Sequence, residues 1–159
     1  MEERYLFKAK RVDNGEWVFG DLVHSVYKIG DTCVGQYGNE VGMHEVDPST
    51  ICWCTGSKDK NGNLIWENDI TELFGHRGVI KYVCGGFGIA YKTPIDWDGI
   101  EANIKPITGC DNHLYACEND NYISLWEIYW NFNDEDDLVD TVEVIGNIFD
   151  NKDIFESEE

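Results

Sequence analysis

The sequence predicts a mainly β protein with little helix, and three observations carry that prediction. Apolar residues alternate with polar ones over a series of short segments, the pattern of strands with one buried face. Asn-Gly dipeptides at Asn14-Gly15 and Asn61-Gly62 punctuate these segments, a strong short-range hairpin signal. No long stretch repeats with the 3.6-residue period of an amphipathic helix.

Taken in order, "RYLFKAKRV" (4–12) reads as the first strand, "DNGE" (13–16) turns the chain back, and "WVFGDLVHSVY" (17–27) is a long second strand with a candidate bulge at Gly20. "TCVGQYG" (32–38) and "STICWCT" (49–55) supply two more strands, and "VDPST" (46–50) is a turn set by Pro48. Cys52 and Cys54, two apart, face the same side of their strand. A second hairpin turn comes at "KDKNGN" (58–63). "LIWENDITELF", "RGVIKYV" and "FGIAYKT" follow as short strands joined by glycine-containing turns. "YISLWEIYW" (122–130) and "TVEVIGNIF" (141–149) read as two late apolar strands. Helix signals are confined to Asp134 capping a turn through "DEDDLVD" and to "NKDIF" (151–155). The segment from Thr93 to Asn121, with Pro94, Pro106 and many turn formers, reads as an insertion or long loop.

The run from Glu67 to Lys92, three strands joined by tight turns, fits an SH3-like small barrel closed by the late strands. The expected organisation is an N-terminal β subdomain over residues 1–60, a hairpin unit packed against the barrel. Residues 61–159 form the SH3-like barrel subdomain with an insertion near 93–121.

Composition narrows the function classes. The chain has 159 residues, 42% of them hydrophobic, with 6 Trp, 8 Tyr and 7 Phe, ample material for a core. No apolar run reaches the roughly 18 to 20 residues needed to span a bilayer, so no membrane association is expected. "MEERYLFKAK" places acidic residues where a signal peptide needs basic ones, and no apolar region follows, so the expected location is cytoplasmic. The 6 cysteines are then expected as reduced thiols. The net charge of -19 is uneven: residues 1–60 carry 7 Lys/Arg against 10 Asp/Glu, whereas residues 61–159 carry 5 against 21. That field repels phosphates, so direct nucleic-acid binding is not expected. It suits a solvated surface, a basic host protein as partner, or imitation of DNA's own charge.

Three candidate sites follow from residue chemistry. In "SKDKNGN", aligning Gly62 with the glycine at the sixth position of a calcium loop puts Asn61 fifth, Asp59 third and Ser57 first, but the twelfth position falls on Asn68 instead of a bidentate Glu. A type I′ hairpin turn at Asn61-Gly62 explains the stretch without metal. Cys110, His113 and Cys117 have zinc-ligand spacing within eight residues, with Cys84 or His76 available as a fourth ligand; scattered loop residues are the plainer reading. No catalytic set emerges, because no serine or cysteine nucleophile sits in a recognisable motif beside a histidine, and no cofactor other than zinc is suggested. Trp126, Tyr129 and Trp130 lie in one predicted strand, where alternation puts Trp126 and Trp130 on one face and Tyr129 on the other. Such a strand is either core on both faces or presents one face to a partner chain.

Three passages together carry a resemblance. "FKAKRVDNGEWVFGDLV", "CTGSKDKNGNLIWENDI" and "VEVIGNIFDN" resemble, in order, the N-terminal hairpin, the central Asp-x-Asn-Gly and Glu-Gly-Asp-Ile motif, and the closing strand of the YopX family of phage and prophage proteins. Asn68 stands where that family usually has Gly, a substitution compatible with positive φ, and "ICWC" replaces a Val-Gly-Gln-aromatic pattern. The resemblance implies a mostly β fold with an SH3-like element, a phage or prophage origin and hence a bacterial host cell. It carries no catalytic residues onto this chain. The expected function is a non-enzymatic protein-interaction or self-assembling module, a homo-oligomer. The alternatives are an acidic DNA mimic that binds a basic host protein, and a metal-dependent enzyme using the 110–117 loop.

Overall fold

The computed structural model describes residues 6–24, 32–35, 43–83, 85–96, 121–132, 138–139 and 141–156. Within these the protein is mainly β, and the chain divides into two compact units, Met1–Gly56 and Ser57–Glu159.

In the first unit, β1 (Phe7–Lys10) and β2 (Trp17–Gly20) form the predicted hairpin, in register from Phe7 opposite Gly20 to Lys10 opposite Trp17. The Arg11 N–H donates to the Glu16 carbonyl at 2.9 Å and the Gly15 N–H to the Arg11 carbonyl at 3.0 Å. Gly15 takes the left-handed φ of 73° that this reversal needs. The long second strand is interrupted at Asp21, after Gly20, and the chain continues as β3 (Leu22–His24), which pairs with β4 (Thr32–Gly35) and β4 with β5 (Met43–Glu45). Asp47 caps a 3-10 turn at Pro48–Thr50, accepting from the Ser49 N–H at 2.9 Å and its hydroxyl at 2.7 Å. The Ser49 hydroxyl and N–H hold the Asp47 carboxyl below its ordinary pKa. Thr50 Oγ1 then accepts from the Lys10 N–H at 2.8 Å, which ties the turn to β1. β6 (Cys52–Asp59) begins by pairing antiparallel with β1. A small cluster of Ala9, Val18 and Val46, flanked by Leu22 and Ile51, is buried here. Cys52 and Cys54 are both buried, with Trp53 between them partly exposed, so the two thiols share a face as the alternation predicts.

The second unit opens with the end of β6, which pairs with β7 (Leu64–Trp66). A five-stranded antiparallel sheet follows in the order β11-β10-β9-β8-β13, built from β8 (Asp69–Leu73), β9 (His76–Val83), β10 (Gly86–Ala90), β11 (Tyr122–Ser124) and β13 (Glu143–Asn147). Helix α1 (Leu125–Phe132) follows β11, β12 (Leu138–Val139) lies parallel to β6, and α2 (Lys152–Glu156) ends the described chain. Ile65, Leu73, Ile80, Ile89, Ile123, Leu125, Ile128 and Val142 are the main buried side chains of the core.

Some expectations need correction. Among the described residues no sheet closes into a barrel. The late strands β11 and β13 join opposite edges of the β8–β10 meander, pairing with β10 and β8 respectively, so they widen the sheet instead of sealing it. The segment "YISLWEIYW" is a strand only through Ser124 and then a helix. Ser124 Oγ accepts from the Glu127 N–H at 3.1 Å, an N-cap, and Leu125 and Ile128, three apart, bury one helical face. Of the turn predicted through "DEDDLVD", 134–137 and 140 lie outside the described residues and Leu138 and Val139 form β12, while α2 lies where "NKDIF" places it. The 93–121 insertion falls outside the described residues over 97–120.

Candidate functional site

Cys110, His113 and Cys117 lie outside the described residues, as does Cys84; His76 starts β9 on the exposed rim of the sheet. Among the described residues no group of His, Cys, Asp and Glu side chains could hold a metal ion. No described helix is long and apolar enough to cross a membrane.

The apparent calcium loop is a hydrogen-bonded clasp. Asp59, fully buried, accepts from the Asn61 N–H at 2.9 Å, the Asn63 N–H at 2.8 Å, the Asn63 amide at 3.3 Å and the Val144 N–H at 3.1 Å. The carboxylate that a metal would need is thus committed to the hairpin and to β13. Gly62 has a φ of 82° and donates to the Asp59 carbonyl at 2.9 Å, while the Asp59 N–H donates to the Asn63 carbonyl at 2.8 Å. Asn61 is not at positive φ, so the turn is a three-residue loop with a single left-handed glycine instead of the predicted type I′ pair. Lys60 pairs with Glu143 at 2.6 Å; this hydrogen bond holds the Glu143 carboxyl below its ordinary pKa and raises that of Lys60. The type I′ signature occurs one turn later, at Phe74-Gly75, with φ of 51° and 82°.

The rest of the motif forms a second node. Asn68 has the left-handed φ of 68° that its substitution for glycine anticipates. Its N–H donates to the Ile80 carbonyl at 2.8 Å, its carbonyl accepts from the Ile148 N–H at 3.1 Å, and its Oδ1 accepts from Lys81 Nζ at 2.6 Å. Asp69, buried, accepts from the Trp66 N–H at 2.8 Å and closes the turn. "NGNLIWENDI" therefore joins the β6–β7 hairpin, β9 and the end of β13.

Of the aromatic candidates, Trp126 and Tyr129 are brought together by α1. Their rings stack at 6.4 Å between centroids with 23° between planes. Trp130 lies in the same helix, but its side chain is outside the described residues. Helical spacing of three unites Trp126 and Tyr129, which strand alternation had separated. Trp126 is 67% exposed although its neighbours Leu125 and Ile128 are buried. The Ser-x-x-Glu pattern of Ser124 and Glu127, a capping signature, was the sequence signal for this helix.

A cavity that sequence reasoning did not anticipate lies on the other face of the large sheet. Val79, Lys81 and Ala90 alternate away from the core residues Ile80 and Ile89 and, with Ile148, Lys152 and Phe155, line a space of about 410 Å³. Lys92 and Glu156 stand at the same cavity.

These features define a mainly β protein with a tightly hydrogen-bonded central hairpin and an exposed tryptophan on helix α1. The family model described as YopX protein matches residues 6–156, and the chain belongs to the YopX family. No curated protein matches it.

Proposed function

We propose that the chain is a non-enzymatic protein-interaction module of phage or prophage origin that assembles with copies of itself in the cytoplasm of a bacterial host. The observation that carries this reading is the Trp126–Tyr129 pair. An exposed indole stacked on the half-buried Tyr129 ring, on a helix anchored by buried Leu125 and Ile128, offers a rigid aromatic anchor, and such anchors dominate the energetics of protein interfaces. Phage or prophage origin is what the family resemblance implies. Light scattering of the full chain over a wide concentration range is the test. The expected result is a concentration-dependent oligomer for the wild type and a monomer for Trp126→Ser. A wild type that stays monomeric at the highest concentration refutes self-assembly.

Charge favours a second reading. Residues 61–159 carry 21 acidic against 5 basic groups, a density suited to occupying a basic groove on a host DNA-binding protein. Capture from bacterial lysate is expected to retain such a protein at low salt and release it at moderate salt. Recovery of no basic protein refutes DNA mimicry.

A further inference from the structure

The cavity behind the large sheet has a charge that its surroundings do not. Residues 61–159 contain 5 Lys/Arg against 21 Asp/Glu, yet three of those five, Lys81, Lys92 and Lys152, line this one space. Composition alone would place fewer than one basic residue in a nine-residue lining. Glu156 is the single acid there, so the lining carries a net positive charge within a strongly negative unit.

Two of the three lysines are held in place. Lys81 Nζ donates to Asn68 Oδ1 at 2.6 Å. Lys92 Nζ donates to the Phe155 carbonyl and sits 4.1 Å from the centroid of the Phe155 ring. An ammonium has three N–H donors, so each of these contacts leaves donors for a further oxygen. Among the described residues none of the three lysines is in an ion pair. Between them Val79, Ala90, Ile148 and the Phe155 ring supply an apolar floor. A space of about 410 Å³ is within the range of small-molecule pockets. Apolar walls with a few placed cations are complementary to a molecule that has a flat hydrocarbon body and an oxyanion at one end.

We propose that this cavity binds a small amphipathic anion, an aromatic or branched body bearing a carboxylate or a phosphate, with Lys81 and Lys152 as the principal anion contacts. Phosphate and carboxylate share the recognising chemistry, and the probes separate them. Isotope-labelled full-length protein is titrated with phenyl phosphate, with 3-phenylpropionate and with neutral 3-phenylpropan-1-ol, following the backbone amide resonances of Val79, Ala90 and Ile148. Saturable shifts are expected with an anion, the tighter of the two naming the ligand class, and binding of the alcohol weaker by at least about tenfold, one charge-assisted contact. Lys81→Gln and Lys152→Gln are each expected to weaken anion binding about tenfold while keeping a dispersed, folded spectrum. Lys152 is exposed, so its variant remains informative if Lys81→Gln perturbs the Asn68 turn. Equal binding of the alcohol, absence of saturable shifts with either anion at millimolar concentration, or an unchanged affinity in Lys152→Gln overturns the proposal.

Discussion

Removing the Asp59 carboxylate tests the central clasp. Asp59→Ala deletes the acceptor of four hydrogen bonds while leaving the hairpin backbone in place. Asn61 and Asn63 are exposed, so water can replace the lost acceptor there, at about 1 kcal/mol for each N–H. The Val144 N–H is half-buried on β13, and its loss of a partner costs a further ~1–2 kcal/mol. The expected destabilisation is about 3–4 kcal/mol, a large share of the stability of an ordinary domain. Asp59→Asn keeps one acceptor oxygen but turns an amide N–H toward donors that need an acceptor, so its cost falls between wild type and Ala. Urea unfolding followed through the buried Trp66, in the strand that leaves the same hairpin, is the assay. A shift in Asp59→Ala below about 1 kcal/mol with an unchanged slope refutes the clasp. Calcium at millimolar concentration is expected to leave the wild-type midpoint unmoved, because the Asp59 oxygens already have donors; a rise in midpoint contradicts that account.

Phe74 holds a left-handed conformation that costs a non-glycine residue roughly 1–2 kcal/mol, so Phe74→Gly is expected to raise the urea midpoint slightly or leave it unchanged. A clear loss of stability in that variant places more value on the Phe74 ring than its exposure suggests. Asn68→Ala combines a left-handed Ala with loss of the Lys81 contact and is expected to cost about 2 kcal/mol, whereas Asn68→Gly is expected to cost less. Equal stability of the two variants contradicts the backbone argument. Because Lys60 lowers the Glu143 pKa, the pair's contribution is complete above the ordinary carboxylate value of about 4.3 and disappears as pH falls through the lower folded value. Glu143→Gln should therefore be less stable than wild type near neutrality, the gap closing on the acid limb; a gap independent of pH refutes the pairing.

Local chemistry made part of this molecule legible before any tertiary information. Gly15 and Gly62 mark hairpins because a left-handed residue within a three- or four-residue loop is a preference of that residue alone. The same holds for Pro48 after Asp47, for Asn68, and for the alternation of Cys52, Trp53 and Cys54. "YISLWEIYW" was not legible as a helix, since its apolar residues satisfy period 2 and period 3.6 about equally. Ser124 decides in favour of helix only when its hydroxyl meets the Glu127 N–H and Leu125 and Ile128 find a core to enter. The interaction candidates therefore changed geometry: Trp126 and Tyr129 stack on one helical surface instead of standing on opposite sides of a strand.

By itself, the sequence determined the mainly β character, the positions of the tight turns, the concentration of acid in the second half and membership of the YopX family. Each depends on composition or on preferences acting within a few residues. Only the tertiary structure decided that the sheet stays open among the described residues, that β12 runs parallel to β6, and that Lys81, Lys92 and Lys152 share one cavity. Those lysines lie far apart in the chain, and they meet because β9 pairs with β10 while α2 returns to the face opposite the core. Strand partners and burial depend on the whole chain collapsing together, and no short window of residues encodes them.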